Sequence, residues 1–107
     1  MPEKTEEFQK KYERFLASPL MQDVTESFCE LNILTKDGES RRIDRLVKKT
    51  DGSYLIIDYK SDHTKERLKE WEKQLTEYSE TMSEILHTHV PAVIYITATG
   101  ETVPIVE

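Results

Sequence analysis

The chain predicts a single α/β (α+β) domain, a mixed central β-sheet flanked by helices, and three observations carry that prediction. Apolar residues recur every three or four positions near the N-terminus, alternate through the middle, and return to the helical period over residues 64–86. Asp37-Gly38 and Asp51-Gly52 punctuate the alternating stretch where two hairpin turns would fall. The second helical stretch leaves room for a crossover, so the strand after it can lie parallel to a neighbour.

The elements follow in order. Residues 3–18 carry Phe8, Tyr12, Phe15 and Leu16 at helical spacing, with Glu and Lys on the outer face. Ser18-Pro19 ends this helix, because a residue before proline is pushed out of the α region. Val24, Phe28, Leu31 and Ile33 suggest a first strand over 24–35. Strands at about 40–49 and 53–60 follow the two Asp-Gly turns and complete an antiparallel meander. Leu68, Trp71, Leu75, Tyr78, Met82, Ile85 and Leu86 mark one apolar helix face over 64–86. A fourth strand over Val90–Thr97 and a short fifth ending near Val106 close an α-β-β-β-α-β-β order, without linker, repeat or low-complexity segment.

Composition sets the outer limits. At 107 residues the chain suits one domain with one core, residues 1–107 throughout. No apolar run approaches a membrane span and no signal-peptide pattern opens the chain, so a cytoplasmic setting and no membrane partner are expected. The single Cys29 excludes an internal disulfide and a four-cysteine metal cluster; it reads as a small buried hydrophobe. A net charge of −6 argues against gripping nucleic acid by bulk electrostatics, so a polyanion would need a local patch, a metal or another subunit.

The run Tyr54-Leu55-Ile56-Ile57-Asp58-Tyr59-Lys60-Ser61 carries the most chemistry. It reads as a strand buried on both faces, yet it ends in an acid and an amine two residues apart. Side chains alternate along a strand, so Asp58 and Lys60 share a face. A carboxylate and an ammonium at the end of a hydrophobic strand are costly to place there without a task. In the preceding strand, Arg41-Arg42-Ile43-Asp44-Arg45-Leu46-Val47 holds Asp44. Each carboxylate lies six or seven residues from the Asp51-Gly52 turn, so the hairpin can bring them together. Two carboxylates with a backbone carbonyl and water suit Mg²⁺. The plainer alternatives are a strand-end ion pair for Asp58 and Lys60 and a surface pairing of Asp44 with Arg42 or Arg45.

Ile43-Asp44-Arg45-Leu46, Ile57-Asp58-Tyr59-Lys60-Ser61 and Gln74-Leu75-Thr76-Glu77-Tyr78 together resemble the RecB-type branch of the PD-(D/E)XK nucleases. That branch shows a G-x-I-D strand, a D-Y-K-[TS] strand and a Q-x-x-x-Y helix in this order and at about these separations. Phe15-Leu16-Ala17-Ser18-Pro19-Leu20 followed by Glu26-Ser27-Phe28 further resembles the approach to this domain in AddA-like helicase–nucleases. The resemblance spans about residues 13–97. It implies a restriction-endonuclease-like αβββαβ core and Mg²⁺- or Mn²⁺-dependent hydrolysis of DNA, exonucleolytic, in recombination or repair end processing. Its implied metal ligands are Asp44, Asp58 and the Tyr59 carbonyl, with Glu26 first and then Glu13 or Glu30 as candidates to stand in for the branch's upstream His, each with a surface or capping carboxylate as the alternative. Lys60 would orient or deprotonate the attacking water, and Gln74 and Tyr78, at i and i+4 on one helix face, would support it. Plain packing for Tyr78 and a flanking place for Gln74 are the alternatives.

The chain departs from that pattern in three places. No His precedes His63, whereas the branch usually carries an upstream His ligand; Arg41 replaces the Gly of G-x-I-D; and the cysteines that hold an iron–sulfur cluster in some relatives are missing, so no cluster is expected. The ATP-binding motifs of a helicase are also missing, so the chain corresponds to a stand-alone nuclease or to the C-terminal part of a helicase–nuclease, with DNA and a helicase domain or subunit as partners. The rival expectation is a catalytically impaired domain of the same fold that binds DNA or docks a protein. A third is an interaction domain without nucleic acid. Arg41, Arg42, Arg45 and Lys48, with Lys49, form a candidate DNA-backbone patch or a charged edge strand. Trp71 reads as core, and His87 and His89 as helix-end residues.

Overall fold

The computed structural model describes residues 2–107, with side chains from residue 6 onward. Helix α1 spans Pro2–Leu16, strand β1 Val24–Leu34, β2 Ser40–Lys49, β3 Tyr54–Lys60, helix α2 Leu68–Leu86, β4 Ala92–Ile96 and β5 Thr102–Val106. The fold is α+β: one five-stranded mixed sheet in the order β1-β2-β3-β4-β5, with two helices. β3 and β4 are parallel and every other neighbouring pair is antiparallel. Among the described residues no helix is long and apolar enough to cross a membrane.

Both hairpins turn as their Asp-Gly pairs demand. Gly38 (φ 79°) and Gly52 (φ 88°) occupy the left-handed region, each as the last residue of a four-residue turn rather than inside a two-residue loop. Thr35 accepts from the Gly38 N–H at 2.9 Å, and Lys49 accepts from the Gly52 N–H at 3.0 Å. Asp51 Oδ1 also accepts from the Ser53 N–H at 2.9 Å, which tightens the second turn.

The sheet buries both faces of its centre. α2 lays Trp71, Leu75, Tyr78 and Met82, spaced by fours and a three, against Leu46, Ile56 and Ile94. On the opposite face Phe15, Val47, Ile57, Val93 and Tyr95 form a second core. Two serines one helical turn apart fix α2 to the sheet: Ser79 Oγ donates to the Val90 carbonyl at 2.6 Å, and Ser83 Oγ accepts from the Val90 N–H at 2.9 Å. That clamp sets the height of Gln74 and Tyr78 above the strands.

The N-terminal helix departs from its expected packing. Of the four apolar residues at helical spacing only Phe15 is buried; Phe8, Tyr12 and Leu16 are exposed. α1 is tied to the sheet near its end, where Phe15 enters the second core and Arg14 Nη2 donates to the Thr97 carbonyl. Cys29, expected inside, is exposed, because β1 is an edge strand whose outer half neither helix covers.

Strict alternation fails at one point in β2. Ile43 and Leu46 enter the same core although three residues apart, while Val47 faces the other side. The phase changes at Asp44. Its position opposite on β1 is Glu30, flanked by the pairs Cys29–Arg45 and Leu31–Ile43, and Glu30 is left-handed at φ 53°. A local departure of this kind re-aims a strand side chain, and the side chain here is Asp44.

Candidate functional site

The β2–β3 ladder runs from Lys48 opposite Tyr54 to Arg45 opposite Ile57. One further step sets Asp44 opposite Asp58. There the backbone pairing stops, and Asp44 Oδ2 accepts from the Tyr59 N–H at 3.0 Å in place of a ladder bond. Lys60 turns its own carbonyl to β4, where it accepts from the Thr97 N–H at 2.8 Å. By alternation the Tyr59 carbonyl points to the β2 edge, beside Asp44.

Asp58 is buried and sits at the last turn of sheet before solvent, with Lys60 Nζ 2.9 Å from its Oδ2. The contact is an ion pair of poor hydrogen-bond angle, so Oδ2 has no hydrogen-bond partner. Lys60 Nζ also donates to Gln74 Oε1 at 3.3 Å, and Gln74 Nε2 donates to the Tyr78 hydroxyl at 3.0 Å. Asp44, Asp58, Lys60, Gln74 and Tyr78 therefore meet on one face of the sheet, at the carboxyl end of β3. Lys60 Nζ lies 5.7 Å from the Trp71 ring centroid, so the indole shapes the lysine's seat as well as the core.

Burial pushes the Asp58 carboxyl up to about 6, with the neighbouring Asp44 charge adding and Lys60 opposing. The Tyr78 hydroxyl is also raised, by burial first and then by the Asp58 charge. Two acids against one amine leave the cluster short of positive charge, and the buried Asp58 Oδ2 meets only the Lys60 ammonium, at a poor hydrogen-bond angle. That is the condition a hard divalent cation relieves. The all-oxygen set of Asp44, Asp58 and the Tyr59 carbonyl fits Mg²⁺ or Mn²⁺, with water completing the shell.

No third acid joins them: among the described residues no group of three or more His, Cys, Asp or Glu is close enough to hold a metal. Glu26, expected as a ligand, pairs with Lys48, four residues along the strand from Asp44 and so about 13 Å away. Of the substitutes, Glu13 lies on exposed α1 and accepts from Gln9 at 3.2 Å, and Glu30 is exposed.

The basic patch expected on β2 is dispersed by the sheet. Arg45 is buried under α1: its Nε donates to the Tyr59 hydroxyl at 2.7 Å, its Nη1 to Ser27 Oγ at 2.7 Å, and it lies 5.2 Å from the Phe15 centroid. It braces Tyr59 from behind and is closed to DNA. Arg41 is taken by Glu77 at 3.1 Å and Glu39 at 2.6 Å. Lys48 lies over the Tyr54 ring, 5.6 Å from its centroid, and Lys49 donates to the carbonyls of Leu20 and Gln22. Among the described residues, Arg42 alone of the expected set is exposed and has no ion-pair or hydrogen-bond partner.

Sequence reasoning overlooked two contributors. Arg45 as a brace left no signal beyond its place two residues before Val47, on the same face of the strand. His63 stacks on Trp71 at the rim of the site, with centroids 6.2 Å apart, and only its closeness to Lys60 in the chain pointed to it. Neither the scan against protein-family models nor the search of curated proteins finds a match to this chain.

Proposed function

We propose that the chain is a metal-dependent DNA nuclease domain of the RecB-type PD-(D/E)XK class, cleaving phosphodiesters by hydrolysis. The observation that carries this reading is the meeting of Asp44, Asp58, Lys60, Gln74 and Tyr78 at one strand end, from three separated sequence motifs. The exonucleolytic mode, the role in recombination or repair end processing, the helicase partner and the cytoplasmic setting belong to the same proposal and rest on the resemblance alone.

Asp44, Asp58 and the Tyr59 carbonyl would hold Mg²⁺ or Mn²⁺. When bound, such an ion polarises the scissile phosphate and makes a water more acidic. The chain's own groups do the rest. Asp44 is held by the Tyr59 N–H, so its carboxylate does not drift when substrate arrives. Lys60 meets the charge that builds on the phosphate oxygens and orients the attacking water. Gln74 keeps the ammonium directed inward, and Tyr78 fixes which end of the Gln74 amide faces the lysine. Arg45 supports the arrangement from the opposite face through Tyr59.

The test is degradation of end-labelled DNA with Mg²⁺ or Mn²⁺ by wild type, Asp58→Ala and Lys60→Ala. Loss of at least a hundredfold in both variants is expected, and equal activity in all three would defeat the assignment. The two-carboxylate set favours one rival, a catalytically impaired domain of this fold that binds DNA or docks a protein. Calorimetry separates them, because the rival predicts no heat from Mn²⁺ that Asp44→Asn removes.

A further inference from the structure

We infer that the His63 ring is a stacking platform for an unpaired nucleobase beside the acid–lysine cluster, an inference that rests on the nuclease reading above. His63 lies in the loop after β3, three residues past Lys60. Its ring packs on Trp71 with centroids 6.2 Å apart and planes inclined by 29°. The Lys60 ammonium lies 5.7 Å from the centroid of the same indole. One buried side chain thus positions both the amine that meets the phosphate and the imidazole at the rim. Trp71 itself is 3% exposed and cannot receive a base, whereas the His63 side chain is 34% exposed.

The charges around His63 favour a base over a phosphate. Glu101, in the turn between β4 and β5, places Oε2 4.0 Å from Nδ1. On its own loop, Asp62 Oδ1 accepts from the His63 N–H at 2.8 Å. Lys60, the cation facing this region from β3, is already matched by Asp58 at 2.9 Å. A phosphate set against His63 would meet two carboxylates. The face of a base carries no charge and escapes that repulsion, while the Glu101 carboxylate can accept from an exocyclic amino group. Stacking also suits a chain of net charge −6 whose Arg41 and Arg45 are engaged elsewhere, because it gains affinity without cations. A base inside a duplex has no free face, so the subsite takes an unpaired one.

The test uses short single-stranded oligonucleotides with phosphorothioate linkages, which resist hydrolysis, bound to the full chain in Mg²⁺ and read by fluorescence anisotropy. His63→Ala is expected to weaken binding roughly 5- to 150-fold, the range of one lost base stack. His63→Phe should stay within about twofold of wild type, and neither variant should change the salt slope of binding. A scan with one abasic site should find a single position that reproduces the loss in wild type and adds nothing in His63→Ala. Equal losses in His63→Phe and His63→Ala, a slope reduced by about one, or no loss at all would overturn the stacking role. If wild type binds no DNA, the nuclease reading falls with it; if it binds and His63→Ala binds equally well, only the stacking role falls.

Discussion

Asp58 shows how one residue ties the stability of this fold to its chemistry. Its carboxyl titrates near 6 in the folded chain because burial disfavours the anion and Asp44 repels it. An acid whose folded value lies above its unfolded value of 3.8 binds its proton more tightly when folded. Stability is then lost as pH rises through the window from about 4 to 6, and above it the ionised carboxylate is a constant burden. Removing that charge should help the metal-free protein. Asp58→Asn is expected to stabilise it by about 1–2 kcal/mol at pH 7, less than the full shift implies because Lys60 loses its partner. Most of the gain should be lost by pH 4, where folded Asp58 is protonated and its unfolded counterpart is about half so. Urea melts of the two proteins at pH 4 and 7 in EDTA measure the difference; a destabilised variant at pH 7 would show that the Lys60 ion pair outweighs burial.

At the scale of elements, much of this architecture was legible beforehand. Both Asp-Gly hairpins, the phase of β3 and the α2 stripe follow from turn chemistry and period, and Gln74 and Tyr78 meet Lys60 because an i, i+4 pair on that helix faces the strand end. What escaped reading depended on where elements end up in space. Arg45 looked like part of a basic strand, but the change of phase at Asp44 turns it to the face that Phe15 covers. Cys29 and Phe28 sit on the part of an edge strand that neither helix covers, a fact no local pattern encodes. The end of α2 offers a test of local strain. His87 caps the helix at φ 56°, and its N–H donates to the Ser83 carbonyl. A non-glycine residue there costs about 1 kcal/mol, and the His87 side chain is exposed. His87→Gly should therefore raise the melting temperature by about 4–8 °C. Scanning calorimetry reads this directly, and an unchanged or lower value would mean that the imidazole contributes more than the strain removes.

For the molecule as a whole, the two cores and the site share one sheet, so a ligand at the β3 end is linked to global unfolding. Val47, Ile57 and Val93 pack behind the same strands whose other face carries Asp44 and Asp58. The candidate ion site is assembled only when β2 and β3 are paired, since the two acids lie 14 residues apart in the chain. The unfolded chain has no equivalent arrangement, so an ion held there would bind the folded state alone and stabilise it. At a hundred times its dissociation constant the gain is about 2.7 kcal/mol. That gain should depend on pH, because a proton on Asp58 competes with the ion below about 6. Mn²⁺ is thus expected to raise the melting temperature at pH 7.5 and to lose most of that effect at pH 5. Asp44→Asn should respond weakly at either pH, whereas Glu26→Gln, whose carboxylate stands four residues away along the sheet, should respond like wild type. A Glu26→Gln variant that lost the Mn²⁺ response would place a third ligand in the site and require β1 to slide or bend toward Asp44. An equal response from Asp44→Asn and wild type would move the ion away from the paired acids altogether.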